Sequence, residues 1–258
     1  MRVAVVGAGG RMGKMLIRAV AASGSGKLVA ATERAGSPQL GVEVADGVVV
    51  MDHLQIADSM DVVIDFTAPA ATLQHAEFAA EHGVAMVIGT TGFDDRGLRQ
   101  LRTTLAGQRV VMAANFSVGV NLALGLVEQT AAILGDDYDA EIVETHHRYK
   151  VDAPSGTALA LGSSLAKGRG VDLKQHAVFS REGVTGARKR GDIGFSVVRA
   201  GSIVGDHSTL FISDEEQVEI RHVAHDRMVF AKGAVRAAEW LLSQPHGLYS
   251  MADVLGVS

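Results

Sequence analysis

The stretch VAVVGAGGRMGKML, residues 3–16, carries the strongest indication of the fold. An apolar run of strand length leads into glycines at positions 7, 10 and 13, and a helix-compatible run follows. A loop without side chains can turn tightly and lets a pyrophosphate approach a helix N-terminus, where N–H groups and the helix dipole favour anions. The spacing is GxxGxxG, with an additional Gly9, instead of GxGxxG. The alternative is that the glycines serve only close packing of strand against helix.

An acidic residue strengthens the interpretation of this loop as a dinucleotide site. The next apolar run, KLVAAT (27–32), ends at Glu33, whose carboxylate can accept hydrogen bonds from an adenosine ribose. The charge of Glu33 opposes a 2′-phosphate, whereas the guanidinium of Arg34 or Arg11 could pair with one. We therefore expect either NADH or NADPH as the cofactor.

Strand-length apolar runs alternate with helix-compatible runs through the first half of the chain. This alternation predicts an α/β fold with a Rossmann-type, doubly wound parallel sheet built from right-handed crossovers. The predicted strands are 2–7, 27–32, 61–66, 84–89 and 109–114, and the predicted helices are 11–23, 69–83 and 94–107.

Three loops follow predicted strands at the sheet edge where such proteins bind ligands. They are DFTAP (65–69), GTTG (89–92) and AANFS (113–117). Their spacing fits ordinary loops as well as ligand contacts, but their position favours contact with the cofactor.

The pattern changes after about residue 115 and predicts a second, α+β domain. A strand within 139–150 would place Ala140, Ile142 and Glu144 on one face, and residues 193–226 alternate apolar and polar residues as antiparallel strands do. We therefore expect a mixed or antiparallel sheet here. Residues 227–256 return to a helical period and could rejoin the first domain. The expected domains are residues 1–114 completed by 228–258, and residues 115–227.

The stretch HHRYKVDAPSGTALALG, residues 146–162, gathers protonatable and cationic side chains before a helix start. Neighbouring side chains of a strand point to opposite faces, so His146 and His147 are expected to do different jobs, with one facing a cleft. A hydride acceptor gains electrons and then needs a proton, which His146 or Lys150 can supply near neutral pH.

The helix start in this stretch has the features of a second anion site. Pro154 suits a first helical turn, Ser155 and Thr157 are possible caps, and Gly156 leaves its N–H approachable. Because the glycine loop already provides for phosphate, this site suits a carboxylated substrate. The plainer alternatives are that the hydroxyls only cap the helix and that His147 is a buried histidine with satisfied hydrogen bonds.

A metal site is the main rival interpretation of the histidines. Two adjacent histidines make poor joint ligands, and no HExxH motif or cysteine completes a set. The HVAH stretch (222–225) has ligand spacing for a helix but lies in a strand-like segment. We therefore expect no metal.

Composition narrows the class of partner. The chain of 258 residues has a formal net charge of −5 with scattered basic residues, so a nucleic-acid partner is not expected. It has no cysteine and no apolar stretch of membrane-spanning length, and its first residues do not match a signal peptide. We expect a cytoplasmic protein without a membrane partner that binds small molecules.

The stretch ETHHRYKVDAPSGTA (144–158) resembles the characteristic motif of the dihydrodipicolinate reductases, also called 4-hydroxy-tetrahydrodipicolinate reductases, of the diaminopimelate–lysine pathway. The resemblance extends through most of the chain. It includes VAVVGAGGRMG, DFTAP, GTTG, AANFSVGVN, IGFSVVRAGSIVGDH and RMVFAKGAVRAAEWL.

The resemblance implies a homotetramer in which NADH or NADPH reduces a cyclic, conjugated imine dicarboxylate to tetrahydrodipicolinate, with hydride going to ring position 4. It implies that His146 is the general acid and that Lys150 is a second proton donor or a substrate-binding cation. The implied substrate carboxylate site is His147, Ser155, Gly156 and Thr157. The implied cofactor contacts are Gly7, Ala8, Gly9, Gly10, Arg11, Met12, Glu33, Arg34, Gly89, Thr90, Thr91, Ala113, Ala114, Asn115 and Phe116. The first domain would bind the dinucleotide, and the second would bind substrate and form the oligomer.

Two other functions fit parts of the sequence. A cofactor-sensing binding module would use the same glycine loop but has no need for HHRYKVDAPSGT. Another Rossmann oxidoreductase would share the first half of the chain. Thioacyl semialdehyde chemistry is excluded by the missing cysteine nucleophile, whereas homoserine-type oxidation is opposed only by the motif.

Overall fold

The computed structural model describes residues 1–55 and 59–257, which divide into two compact units. Met1–Val118 and Arg227–Gly256 form the first unit, and Gly119–Asp226 form the second. Ser258, the end of the expected segment 228–258, lies outside the described residues. None of the described helices combines the length and apolar character needed to cross a membrane.

The first unit alternates strands and helices, numbered here in chain order across both units. Its strands are β1 (Arg2–Val6), β2 (Lys27–Thr32), β3 (Glu43–Ala45), β4 (Val48–Met51), β5 (Val62–Asp65), β6 (Ala85–Ile88), β7 (Arg109–Met112) and β13 (Gly247–Tyr249). Its helices are α1 (Arg11–Ala22), α2 (Pro69–His82), α3 (Asp95–Thr104), α7 (Met228–Leu241) and α8 (Met251–Leu255).

These strands form one mostly parallel sheet. Within the described chain its order is β13-β7-β6-β5-β1-β2-β4-β3, and only β3 runs antiparallel to its neighbour. The chain winds outward in both directions from the adjacent pair β1 and β5, so the prediction of a Rossmann-type doubly wound sheet is confirmed.

The central strands are apolar because both faces of the sheet are covered. Every residue of β5 and β6 is buried. Helices α1, α7 and α8 pack on one face, and α2 and α3 contribute to a separate core that includes the opposite side chains of the same strands. Helix α2 begins at Pro69 and ends at His82, and its C-cap is Gly83, the predicted stop, which has a φ of +66°.

The C-terminal segment departs from its predicted continuous helical period. Helix α7 ends at Leu241, and the three residues of β13 then add a parallel edge strand beside β7. Pro245, which cannot donate a backbone hydrogen bond, separates the two elements. A strand of three residues is too short to show an alternating hydrophobic pattern in the sequence.

The second unit contains the strands β8 (Asp139–His146), β9 (Ala177–Val178), β10 (Ile193–Arg199), β11 (Gly205–Ile212) and β12 (Gln217–Ala224). Its helices are α4 (Val118–Leu134), α5 (Gly156–Arg169) and α6 (Leu173–His176). Strand β8 ends at His146, earlier than the predicted limit at residue 150.

The sheet of the second unit is mixed, as predicted. Its order is β12-β11-β8-β10-β9 in the described chain. Strand β10 runs parallel to β8, so the expectation of antiparallel strands throughout 193–226 is wrong for its first strand. The reason is that β10 and β11 lie on opposite sides of β8 instead of pairing with each other, which an alternating pattern cannot distinguish.

One face of this sheet carries the core of the unit. Ala140, Ile142, Glu144 and His146 of β8 are buried on that face, which confirms the predicted common face of the first three. Helices α4 and α5 pack against it. Val143 and Leu210 lie on the opposite face and remain partly exposed.

Candidate active site

In the glycine loop after β1, the backbone at Gly7 packs directly against the backbone at Gly13 in helix α1. Gly7 has a φ of +70°, and a Cβ on Gly13 would lie 2.1 Å from the Gly7 carbonyl oxygen. Only glycine fits here, so the strand and the helix pack directly against each other. Helix α1 has Gly10 as its N-cap and no side chain capping it. The first turn therefore directs its backbone N–H groups into a space that suits a pyrophosphate.

Glu33 lies against this loop. Its Oε2 accepts a hydrogen bond from the Gly9 N–H at 2.9 Å, and its Oε1 accepts one from the Arg34 N–H at 3.1 Å. A Cβ on Gly9 would approach the same carboxylate to 2.9 Å. The structure therefore brings together the glycine loop and the predicted ribose-binding acid, while the side chains of Arg34 and Arg11 remain exposed.

The three predicted loops meet at the same edge of the sheet. A Cβ on Gly7 would lie 2.7 Å from Cγ2 of Thr67, and one on Gly89 would lie 2.2 Å from the Phe66 ring. The rings of Phe66 and Phe116 are 5.3 Å apart between centroids. These contacts place DFTAP beside the glycine loop, and GTTG and AANFS beside Phe66 of DFTAP, along the sheet edge where Rossmann folds bind ligands.

The predicted cofactor residues differ in exposure. Ala8, Thr90 and Phe116 are buried, and the half-buried group is Gly7, Gly9, Met12, Glu33, Gly89, Ala113 and Asn115. The exposed group is Gly10, Arg11, Arg34, Thr91 and Ala114. The Phe116 side chain belongs to the core, so its role in the structure is packing.

A buried carboxylate that sequence analysis did not single out fixes two of these loops. Oδ1 of Asp65 accepts hydrogen bonds from the backbone N–H and the hydroxyl of Thr67 and from the Thr90 hydroxyl. Its Oδ2 bonds to Nδ1 of His75 at 2.7 Å. Burial alone would raise the pKa of Asp65, but the bonds from His75 and Thr67 outweigh burial and hold that pKa below its ordinary value.

In the second unit, His146 ends β8 beside Glu144. Nδ1 of His146 hydrogen-bonds to Oε2 of Glu144, two residues earlier on the same face. Both Glu144 oxygens also accept N–H groups of Arg199, at 2.9 and 2.8 Å, and Oε1 accepts the Ser155 N–H at 2.9 Å. The carboxylate thus joins β8, β10 and the start of α5.

The charges of this cluster set its protonation. Burial would raise the pKa of Glu144, but hydrogen bonds from Arg199 and His146 bring it below its ordinary value, so the carboxylate is ionised. Burial lowers the pKa of His146, Glu144 opposes this, and the charges of Lys150 and Arg199 lower it further. The His146 imidazole therefore gives up its proton more readily than a free histidine does.

A second imidazole borders the first. The rings of His207 and His146 are 5.0 Å apart in an edge-on arrangement, and Nε2 of His207 lies 3.1 Å from Oγ of Ser155. Oγ of Ser155 also accepts the Ala158 N–H, so Ser155 is the N-cap of α5, as predicted for one of its two candidates. Burial, with a smaller effect of His146, lowers the pKa of His207 to about 4.

This low pKa predicts how stability depends on pH. An unfolded histidine binds a proton below about pH 6.5, whereas folded His207 does so only near pH 4. Between these values the unfolded chain binds more protons, so the free energy of unfolding falls as the pH is lowered. In His207→Gln this decline should be smaller by up to about 3 kcal/mol, measured by denaturant unfolding between pH 4 and 6.5.

The control for this prediction is the same substitution at an exposed histidine, His225. His225→Gln should follow the parent protein across the pH range. Curves for His207→Gln and the parent protein that stay parallel down to pH 4 would contradict a depressed pKa at His207.

The remaining predicted site residues surround α5 and the loop before it. Nζ of Lys150 forms an ion pair with Asp152 at 2.8 Å. The His147 N–H bonds to the Ile203 carbonyl at 2.8 Å, and its ring is half-buried. Gly156 and Thr157 occupy the first two positions of α5, where helix geometry directs backbone N–H groups outward from the N-terminus. Thr157 lies inside the helix, so it is not the N-cap.

Glu144, His146 and His207 have the spacing of a metal site. One ligand atom from each lies within 4.8 Å of the others. However, the Glu144 oxygens already accept N–H groups of Arg199, Ser155 and His146, and the carboxylate has a cation for a partner. We therefore treat the cluster as a hydrogen-bond network and do not assign its members as metal ligands.

Sequence analysis missed Arg199 and His207 as members of this site. Alternation along β11 places His207 on the buried face, but only the pairing of β11 and β10 with β8 brings the two residues to Glu144 and His146. Arg199 pairs directly with His146 in the register of β10 and β8. Both residues lie in the stretch IGFSVVRAGSIVGDH, which is part of the family resemblance, but the resemblance implied no role for either of them.

Two family models match most of the chain. A family model described as dihydrodipicolinate reductase, N-terminus, matches residues 1–116, and one described as dihydrodipicolinate reductase, C-terminus, matches residues 119–255. Among solved structures, a dipicolinate-bound dihydrodipicolinate reductase from Paenisporosarcina sp. TG-14 has 26% identity and a TM-score of 0.78, with 98% of each chain covered.

More distant structures share the fold alone. GenD2 from gentamicin A biosynthesis, in complex with NAD, is 17% identical over 100% of this chain and 90% of its own, with a TM-score of 0.61. An amine dehydrogenase from Mycobacterium smegmatis is 12% identical over 97% of this chain and 95% of its own, with a TM-score of 0.59.

Proposed function

The chain belongs to the dihydrodipicolinate reductase family, and on this premise we propose that it reduces dihydrodipicolinate, or its 4-hydroxylated precursor, to tetrahydrodipicolinate in the diaminopimelate–lysine pathway. Membership of this family makes the protein a nicotinamide-dependent oxidoreductase. The observation that supports the specific reaction is the buried His146–Glu144 pair, which lies beside the capped N-terminus of α5. The other unit of the same chain carries the glycine loop.

The first unit supplies the groups for a dinucleotide. We propose that the backbone N–H groups of the first turn of α1 bind the pyrophosphate and that Glu33 accepts hydrogen bonds from the adenosine ribose. Arg34 and Arg11 are exposed and long enough to pair with a 2′-phosphate, so we propose that both NADH and NADPH are used. When bound, the reduced nicotinamide supplies hydride to ring position 4 of the substrate.

The second unit supplies the groups for a dicarboxylate and for the proton. We propose that the N-terminus of α5, with Ser155, Gly156 and Thr157, binds a substrate carboxylate together with His147. His146 then protonates the enamine that forms once hydride has been added. Lys150 binds the dicarboxylate as a cation or provides a further proton.

We also propose that the protein is a homotetramer assembled through its second unit. The support is the open face of the mixed sheet, where Val198 and Val223 are 43% and 38% exposed. Burying such side chains between subunits would remove apolar surface from water. Sedimentation equilibrium that returns the mass of a single chain would exclude this assembly.

The decisive experiment follows NADH and NADPH oxidation with freshly made dihydrodipicolinate synthase product as substrate. We expect turnover with this product and none with homoserine or a semialdehyde, which are the substrates of the rival oxidoreductases. The absence of turnover with the cyclic imine would contradict the proposal.

A titration separates the enzyme from a redox-sensing module. NADH is titrated against the protein with and without pyridine-2,6-dicarboxylate. An enzyme that holds both ligands in one ternary complex should bind NADH more tightly when the dicarboxylate is present. Equal NADH affinity in both titrations would favour the sensor.

A further inference from the structure

The two ring nitrogens of His146 have different surroundings. Its Nδ1 bonds to Glu144, whereas no described residue hydrogen-bonds to its Nε2. Gly205 lies next to this second nitrogen, and a Cβ there would stand 3.1 Å from Nε2. The bonded nitrogen is thus fixed by the protein, and glycine leaves space at the other.

Arg199 does more than orient Glu144. It donates to both carboxylate oxygens, and its side chain is only 19% exposed. A lone carboxylate against an imidazole would hold the proton on the ring strongly, because the opposite charge favours the protonated form. A guanidinium that forms an ion pair with the same carboxylate offsets that attraction without removing the hydrogen bond to Nδ1.

We propose that Glu144 and Arg199 are positioning residues that act through His146: the carboxylate fixes Nδ1 and presents Nε2 for proton donation, and the guanidinium offsets the carboxylate's charge so that Nε2 can release its proton. This inference rests on the proposed function for its catalytic meaning. Its physical content, the control of one imidazole by two charges, does not depend on the substrate.

The charged and titratable groups around His146 come from four places. Glu144 lies on the same strand, Arg199 on β10 and His207 on β11, while Lys150 follows in the loop and is paired with Asp152. His207 is neutral at neutral pH because burial lowers its pKa to about 4. The fixed charges acting on His146 near pH 7 are therefore one carboxylate and two cations, with Asp152 offsetting the lysine.

The two charges predict opposite effects on substitution. Glu144→Gln removes the anion that favours imidazolium, so the pKa of His146 should fall. Arg199→Met removes a cation, so that pKa should rise. Because protonated His146 is the active form, turnover is lost as the pH rises through its pKa. We expect this alkaline limb to move down by about one pH unit in Glu144→Gln and up by about one in Arg199→Met.

A matched control is available elsewhere in the same unit. Arg190 also donates two N–H groups to a carboxylate, that of Asp136, at 2.9 and 3.0 Å. Arg190→Met should leave the alkaline limb in place. Arg199→Lys keeps the cation and should return the limb close to its original position.

A second readout needs no substrate. Histidine side-chain NMR, with the His146 signals assigned from their loss in His146→Gln, follows the titration of that ring in the parent protein and each variant. We expect neutral His146 in the parent protein to carry its proton on Nδ1 and the same opposite shifts in pKa. Thermal unfolding of each variant reports whether the fold is intact.

The two readouts distinguish the possible failures. Opposite NMR shifts in a protein without activity on the cyclic imine would reject the proposed function and support the positioning of His146. Activity with unchanged or same-direction shifts in folded Glu144→Gln and Arg199→Met would overturn the inference. If Arg199→Met does not fold, Glu144→Gln against Arg190→Met still decides it by the sign of the shift.

Discussion

Replacing His146 with glutamine should lower kcat by at least about a hundredfold while leaving the affinity for NADH nearly unchanged. Glutamine is similar in length and can still form a hydrogen bond to Glu144, but it cannot exchange a proton near neutral pH. A positioned general acid contributes about 10²- to 10⁴-fold, so the loss should fall within that range. Steady-state kinetics with the cyclic imine and a fluorescence titration of NADH measure the two quantities.

The pH dependence of turnover provides a second test of this role of His146. In the parent protein turnover should decline as the pH rises through the pKa of His146, which burial holds below its ordinary value, whereas residual activity in His146→Gln should lack that decline. His225→Gln, a change at an exposed histidine of the HVAH stretch, should keep both rate and profile. Full turnover in His146→Gln would refute the role of His146 as the proton donor.

Replacing Lys150 with alanine should also lower turnover by about a hundredfold or more. Lys150 is one of two cations, with Arg148, in the loop between β8 and α5, and its ammonium group lies 2.8 Å from Asp152. Charge-assisted bonds to a carboxylate are about twice as strong as neutral ones, so losing the cation should weaken the hold on a dicarboxylate as well. The matched control is Lys167→Ala, which breaks an exposed pair with Glu128 on the same unit.

The arginine variant separates the two roles of Lys150. Lys150→Arg keeps the positive charge but cannot release a proton near neutral pH. Recovery of both KM and kcat would assign Lys150 to binding, whereas recovery of KM alone would assign it to proton transfer. Normal kcat and KM in Lys150→Ala would contradict both roles.

The fold of the first unit could be predicted from the sequence because local chemistry specifies it. The glycine loop specifies its own geometry, because a Cβ on Gly13 cannot coexist with the Gly7 carbonyl. Strands buried on both faces leave continuous apolar runs, such as the one that became β6. The Rossmann-type sheet and the family were therefore predictable. The edge strand β13 was not, because three residues carry no period.

The fold of the second unit could be predicted from the sequence only in part. Alternation along β8 correctly placed Ala140, Ile142 and Glu144 on one face. Alternation says nothing about which strand lies beside which, however, so the parallel pairing of β10 with β8 was missed. For the same reason the sequence offered His146 as a proton donor without its partners. The roles of the individual site residues remain predictions.

The sequence by itself determined the parts of this protein whose chemistry is contiguous: the turn after β1, the acid that follows β2, and the cap that begins α5. Only the tertiary structure decided what surrounds His146. Arg199 is 55 residues from Glu144 in the chain and His207 is 52 from Ser155, and their bonds exist because β10 and β11 pair with β8 from its two sides. Strand register converts those separations into hydrogen-bond distances, and burial makes the resulting charges strong enough to shift a pKa.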